Sequence, residues 1–400
     1  MRLLNVNNYH YRRGGSDAIY FDHAAIFENN GWECAFFSMH HSKNVPSVWS
    51  DYFVEEIEFG GDYSIAQKIS MASKIVYSLE AKNKIGRLLD KFKADVAHLH
   101  CIYHHLSPSI ISSLKGRGVK TFITAHDLKI LCPAYKMLNN GAVCEKCLTN
   151  GISEVVKNKC VKNSGLISSV VFVEAYLHRF LNTYKMVDAV VVPSLFYRKK
   201  FIEWGFPEEK LIYIPNFIDA DLWGLRKEIG DYFVYAGRLS EEKGLWSLFD
   251  SMGKSGAELH VIGTGPLEVD LKKYVEKNNL PIKFLGYMTG EALRSHISFA
   301  KALILPSEWY ENAPVSVLEA HALGVPVIGA EIGGIPELIP EESGSLIFKS
   351  GSVDDLADCI LRIENMSKSE IVMRGEQGRK FVTENFSKKL YFDRMVNLYK

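Results

Sequence analysis

Short apolar runs bounded by turn residues recur along this chain, and each is followed by a segment of helical periodicity. A strand that is apolar along its whole length is buried on both faces, as in a parallel sheet covered by helices. The alternation therefore predicts a doubly wound α/β fold. Runs at Leu3 to Asn7, Cys34 to Ser38, Val96 to Leu99, Thr121 to Ala125 and Ala189 to Val192 read as strands of a first sheet. Those at Leu211 to Asn216, Tyr232 to Gly237, Glu258 to Ile262, Ile282 to Leu285, Ala302 to Leu305 and Pro326 to Gly329 read as a second series. A chain of 400 residues exceeds one ordinary core. Two Rossmann-like parallel-sheet domains facing across a cleft are expected, residues 1–194 and 195–384, with the boundary at Pro193-Ser194. The first crossover helix should run from near Ser16 to Gly31, a normal C-terminal glycine. The closing segment, 385–400, reads as a helix whose apolar face (Leu390, Tyr391, Met395, Leu398, Tyr399) must dock elsewhere.

Charge excludes one class of partner. With 47 basic and 47 acidic side chains the net charge is zero, which gives no electrostatic case for a nucleic-acid binder. The start, Met1-Arg-Leu-Leu-Asn-Val-Asn-Asn, lacks the apolar stretch of a signal peptide, so a cytoplasmic location is expected. No run approaches the roughly 20 apolar residues that span a bilayer.

Open α/β sheets bind ligands at the carboxyl ends of their strands. The most informative loop there is Pro306-Ser-Glu-Trp-Tyr-Glu-Asn-Ala-Pro-Val. Pro314 is expected at the first helical position, with unpaired amides from Pro314 to Val317 forming an anion site for a diphosphate. Glu319, about one turn into that helix, suits the vicinal hydroxyls of a ribose, and Glu311, in the loop, suits a hexose. The same glutamates also fit a surface acid and a helix acid. The apolar surroundings of Glu319 (Ala320, Ala322, Gly324) argue against a solvated face. In Tyr235-Ala-Gly-Arg-Leu-Ser-Glu-Glu-Lys-Gly, Arg238 and Lys243 share one loop and together would neutralise a diphosphate, while Gly237 and Gly244 permit close approach. Gly263, in Ile262-Gly-Thr-Gly-Pro, is a weaker signal of the same kind. Gly286 and Tyr287, after another strand, are placed to meet a nucleotide base.

With these motifs the chain resembles the GT-B retaining glycosyltransferases of family 4 type, over nearly its whole length and most strongly from Leu211 to Ile347. That family's glutamate-x7-glutamate motif matches Glu311 and Glu319, and its Gly-Arg-Leu…Glu-Lys-Gly motif matches Arg238 and Lys243. The resemblance implies that Glu319 holds the ribose and that Glu311, with Asn312, Ala313 and Val315 beside it, holds the donor sugar. It implies that Arg238 and Lys243 hold the diphosphate. It matches Gly14-Gly15 to the family's N-terminal glycine pair and His126 to its acceptor-side histidine, so His126, Glu311, Arg238 and Lys243 are the expected catalytic set. The first domain would then bind acceptor, the second the nucleotide sugar, and the closing helix would return to the first. From residues alone, Gly14-Gly15 also fits a plain turn and His126 a packed core imidazole. The implied reaction is transfer of a sugar from a nucleotide-diphosphate sugar to a glycan or lipid-linked glycan, as in bacterial surface polysaccharide synthesis, with no cofactor required. A non-catalytic nucleotide-sugar-binding relative and a sugar-nucleotide epimerase also remain open.

Two features lie outside that motif set. Cys132, Cys144, Cys147 and Cys160, in a polar insertion at about 128–165, would make a structural zinc site or remain four ordinary thiols. Lys157, Lys159 and Lys162, then Arg198, Lys199 and Lys200, lie near apolar residues and fit either an anionic membrane surface or a solvated face.

Overall fold

The computed structural model describes residues 1–58 and 63–400. Strands β1 (Arg2–Val6), β2 (Glu33–Phe37), β3 (Val96–Leu99) and β4 (Lys120–Thr124) are followed by a small hairpin, β5 (Leu138–Asn139) and β6 (Ala142–Val143). Then come β7 (Ala189–Val192), β8 (Leu211–Tyr213), β9 (Tyr232–Ala236), β10 (Glu258–Ile262), β11 (Ile282–Gly286), β12 (Leu303–Leu305), β13 (Val327–Ala330) and β14 (Leu346–Phe348). Two parallel six-stranded sheets result, ordered β2-β1-β3-β4-β7-β8 and β11-β10-β9-β12-β13-β14. Central strands β3, β7, β12 and β13 are buried at every residue. Each such Leu, Ile or Val side chain contributes about 1.5–3 kcal/mol through burial. This is why continuous apolar runs located them.

The chain forms two compact units: 1–139, 144–214 and 392–400 make the first, and 140–143 with 215–391 the second. The boundary expected at 194 is therefore displaced. β8 pairs in parallel with β7 (Val190↔Leu211, Val191↔Ile212, Val192↔Tyr213), so it is the last strand of the first sheet. The reason is the crossover between them: helix Leu195–Glu203, capped by Ser194 Oγ accepting from the Tyr197 amide at 3.1 Å, returns the chain parallel to β7. The edge strand β14 and the hairpin were absent from the sequence reading, being too short for a periodic signal.

The first crossover helix spans Gly15–Asn29, with Gly31 beyond it at φ 77°. The closing helix spans Lys388–Tyr399, and its residues from Phe392 onward belong to the first unit. Tyr399 is fully buried there against Phe27 and Phe122, ring centroids 5.4 and 5.1 Å away. Lys120 Nζ donates to the carbonyls of Tyr399 (3.1 Å) and Lys400 (2.6 Å), a cation at a helix C-terminus. Among the described residues no helix is long and apolar enough to cross a membrane.

Candidate active site

In the second unit the strand order reverses direction between β9 and β12, the place where open α/β sheets leave a crevice at their carboxyl ends. The two loops rising there carry Lys243 and Glu311. Their approach is set by Gly244, at φ 65°: a Cβ on it would lie 1.9 Å from the Pro306 carbonyl oxygen, so only glycine lets the loops touch. The Glu308 amide donates to the Glu242 carbonyl at 3.0 Å and ties the loops together.

At this junction Lys243 Nζ donates to Glu311 Oε1 at 2.6 Å, and Ser307 Oγ donates to the same oxygen at 2.6 Å. The ammonium also lies 5.3 Å from the Trp309 ring centre. Glu311 is only 7% exposed. Burial pushes its carboxyl pKa up, but the Lys243 charge and the bonds from Lys243 and Ser307 outweigh burial and hold it below the usual range. Glu311 is therefore an ionised, oriented acceptor. The sequence reading assigned Lys243 to phosphate and Glu311 to sugar as separate tasks; the structure makes them one ion pair. Arg238, on the same loop as Lys243, is exposed and its guanidinium pairs with no acid among the described residues. Its backbone is fixed by Tyr235 Oη, which donates to the Arg238 carbonyl at 2.8 Å.

The segment after Glu311 needs one correction. Helix Val315–Ala322 begins one residue later than expected, with Pro314 as its N-cap at φ −65°. Pro314 has no amide, and the Val317 amide donates to the Pro314 carbonyl at 3.1 Å, so the anion site would rest on Val315 and Ser316 instead. Glu319 is half-buried in this helix, and Asn312 and Ala313 precede it. The glycine after β10 is required by packing: Gly263 has φ 135°, and a Cβ would fall 1.9 Å from the Gly237 carbonyl oxygen. Gly237 donates to the Ile262 carbonyl (2.9 Å) and Gly263 to that of Gly286 (2.8 Å), which extends the ladder past the strand ends. Tyr287, next along, is 70% exposed.

Three residues that shape the site escaped the sequence reading. Ser307 orients Glu311, as above. Asn216 Nδ2 donates to the Ala313 carbonyl at 2.9 Å and pins the turn into the helix. Gly333, at φ 61°, packs so closely that a Cβ would lie 2.3 Å from the Glu311 carbonyl oxygen. The Gly333-Gly334 pair after β13 was the available signal.

The first unit places its own residues at the ends of β1 and β4. Gly14 and Gly15 open the first helix, exposed, and a Cβ on either meets nothing within 4 Å. Neither has a positive φ, so local folding does not demand glycine at these positions. His126 follows β4 and is half-buried, with its Nε2 2.8 Å from His100 Nδ1. Burial lowers its pKa to about 4. Next to it, burial pushes Asp127 up to about 6.

The four cysteines of the insertion lie close enough to act on one another electrostatically. Burial pushes the Cys147 thiol up to about 12 and Cys160 up to about 11, and the neighbouring cysteines, including Cys132 and Cys144, add to this. Among the described residues no three His, Cys, Asp or Glu side chains are placed to hold a metal ion. The second basic cluster is likewise neutralised. Arg198 pairs with Glu208 at 2.8 Å, and Lys200 pairs with Glu145 and Glu203 at 2.8 and 2.9 Å.

The chain matches two family models in succession, Glycosyltransferase Family 4 over residues 14–222 and Glycosyl transferases group 1 over 224–381. It is 26% identical over 221 residues to the amylovoran biosynthesis glycosyltransferase AmsK of Erwinia amylovora, covering 51% of this chain and 54% of that protein. The match thus spans about half the length of that curated relative. Sucrose-phosphate synthase from Thermosynechococcus elongatus superposes with a TM-score of 0.70 at 18% identity, covering 100% of this chain and 97% of that one. Anabaena HepE, in complex with UDP and glucose, superposes with a TM-score of 0.69 at 14% identity, covering 100% and 99%. These likenesses establish a GT-B fold.

Proposed function

The chain belongs to glycosyltransferase family 4, and on that premise we propose that it transfers a sugar from a nucleotide-diphosphate sugar to a glycan hydroxyl with retention of anomeric configuration. The observation that carries this reading is the pairing of half-buried Lys243 with buried Glu311 at the β9/β12 switch point, with Arg238 on the same loop. A buried carboxylate is expensive to maintain for stability alone. Here the pair sets an ionised acceptor for sugar hydroxyls beside a cation for the diphosphate.

In the proposed step the bond from the anomeric carbon to the diphosphate oxygen breaks and a bond to the acceptor oxygen forms on the same face. The acceptor's proton passes to the departing diphosphate. Arg238, Lys243 and the N-terminus of helix Val315–Ala322 meet the growing negative charge, so the reading assigns no metal to this step. Glu319 takes the ribose, Gly286-Tyr287 the base, and His126 the transferred sugar. A thermal-shift panel of nucleoside diphosphates would identify the base, because ligand binding raises the melting temperature by mass action. Glu319→Ala is expected to weaken that binding about tenfold, roughly the worth of a charged hydrogen bond. Unchanged nucleotide affinity in this variant, or a product of inverted anomeric configuration, would overturn the reading.

The proposed acceptor is lipid-linked, as in surface polysaccharide synthesis. Helix Gly165–Phe180 exposes Leu166 (84%), Val173, Tyr176 and Phe180 (74%) at helical spacing. The neighbouring helix Ile65–Val76 exposes Ile65 and Ile69. Lys159 and Lys162 lie just before the first of these helices, and together they suit an anionic bilayer surface. Flotation with anionic vesicles should carry the protein, and Leu166→Ser with Phe180→Ser should release it. Equal flotation of both forms would remove this surface from the proposal.

A further inference from the structure

A group of buried imidazoles behind His126 has no part in the chemistry described so far. His23, His98 and His100 are all 0% exposed in the first unit. His98 Nε2 lies 2.7 Å from Thr124 Oγ1, and its Nδ1 lies 2.7 Å from Tyr399 Oη, which is also 3.2 Å from His23 Nε2. His98 thus has a partner at each ring nitrogen. His100 differs: Nδ1 meets His126 Nε2 at 2.8 Å, while its own Nε2 is buried and reached by no donor or acceptor among the described residues. The two ring planes are 18° apart with centres 5.1 Å apart, the in-plane geometry of an N–H···N bond between imidazoles.

We propose that His100 is a positioning residue that donates from Nδ1 to His126 Nε2 and thereby keeps the proton of His126 on Nδ1. Both rings are neutral, since burial holds His100 well below its ordinary pKa and His126 at about 4. One proton therefore lies in the bond, and two arrangements are open. If His126 donates, His100 must carry its proton on Nε2, a buried N–H with no acceptor. If His100 donates, Nε2 is a bare lone pair. An orphaned buried donor carries a full desolvation cost and is rarer than an under-satisfied acceptor, so the second arrangement wins. The orphaned nitrogen deep in the unit thus decides which face of His126 carries hydrogen.

The consequence is chemical. His126 then meets a sugar oxygen as a hydrogen-bond donor through Nδ1–H and does not act as a base at that nitrogen. This rests on the reading of His126 as the contact to the transferred sugar, but the tautomer can be measured without turnover. In histidine-15N-labelled wild-type protein at pH 7, long-range 1H–15N correlation should show a protonated Nδ1 and a bare Nε2 for His126. Resonances are assigned by their loss in His126→Asn. His100→Leu should mix the tautomers and lower kcat about fivefold or more, the worth of one hydrogen bond. His100→Asn, whose amide can donate to Nε2, should restore part of both. A protonated Nε2 in the wild-type protein overturns the proposal even if the enzyme turns over. A protonated Nδ1 with His126→Asn fully active leaves the tautomer in place and removes the sugar contact instead.

Discussion

Lys243→Met is expected to lower kcat/KM about 10²- to 10³-fold and to destabilise the second unit by about 3–5 kcal/mol. The two losses have different causes. The stability loss comes from Glu311, whose Oε1 keeps the Ser307 bond but loses the ammonium 2.6 Å away, leaving a buried carboxylate without its counter-charge. With Lys243 gone, burial dominates and the Glu311 pKa rises, so the carboxyl takes up a proton more readily as pH falls. The activity loss comes from the missing positive charge at the leaving group. A second substitution separates the causes: in Lys243→Met with Glu311→Gln, a neutral amide replaces the stranded charge, and stability should largely return while activity does not. Urea unfolding and nucleotide release from the donor sugar measure the two effects. Wild-type turnover in Lys243→Met would reduce the pair to a structural element.

Acidification should weaken the first unit well before ordinary carboxylates titrate. Burial lowers His10 and His105 to about 4 and His23 and His104 to about 3, each from the ordinary histidine value of 6.5. Their folded-state pKa lies below the unfolded one, so the stability they contribute is present above pH 6.5 and is lost as pH falls toward 4 and 3. One fully buried histidine shifted this far costs about 2–3 kcal/mol at a pH near 4.5. Asp17 and Asp127 oppose the trend, because burial raises them and their penalty is relieved by protonation. Burial lowers His98, His100, His126 and His178 as well and raises Glu28 and Glu174, so among the described residues eight lowered histidines outweigh four raised acids, and stability should fall as pH drops through this range. The second unit's buried His321, lowered to about 4, adds a single site of the same sign. Urea midpoints between pH 7 and 4.5 would show the slope, and His23→Gln should flatten it. A midpoint that holds steady or rises on acidification would refute the balance.

The strands β3, β7 and β10 were legible to the residue, and β7 is the plainest case, because a strand buried on both faces reads as a continuous apolar run wherever it lies. Arg238, Lys243, Glu311 and Glu319 were legible for a related reason. A loop that follows a buried strand and carries charge beside glycine is a local pattern, and the doubly wound fold puts such loops at the ligand-binding edge. What the sequence by itself determined was therefore the kind of sheet, the ends of its strands and the charged residues standing there.

Only the tertiary structure decided which of those residues act together. Lys243 and Glu311 are 68 positions apart and meet because β9 lies beside β12, a choice of strand order that no local pattern encodes. His100 meets His126 across neighbouring strands β3 and β4 for the same reason, and Tyr399 reaches His98 across 301 positions. The unit boundary moved past β8 because one more crossover helix returned the chain to the first sheet. The cysteines show the converse: a spacing that suits a metal does not by itself make a site, and among the described residues no three His, Cys, Asp or Glu side chains are placed to hold an ion.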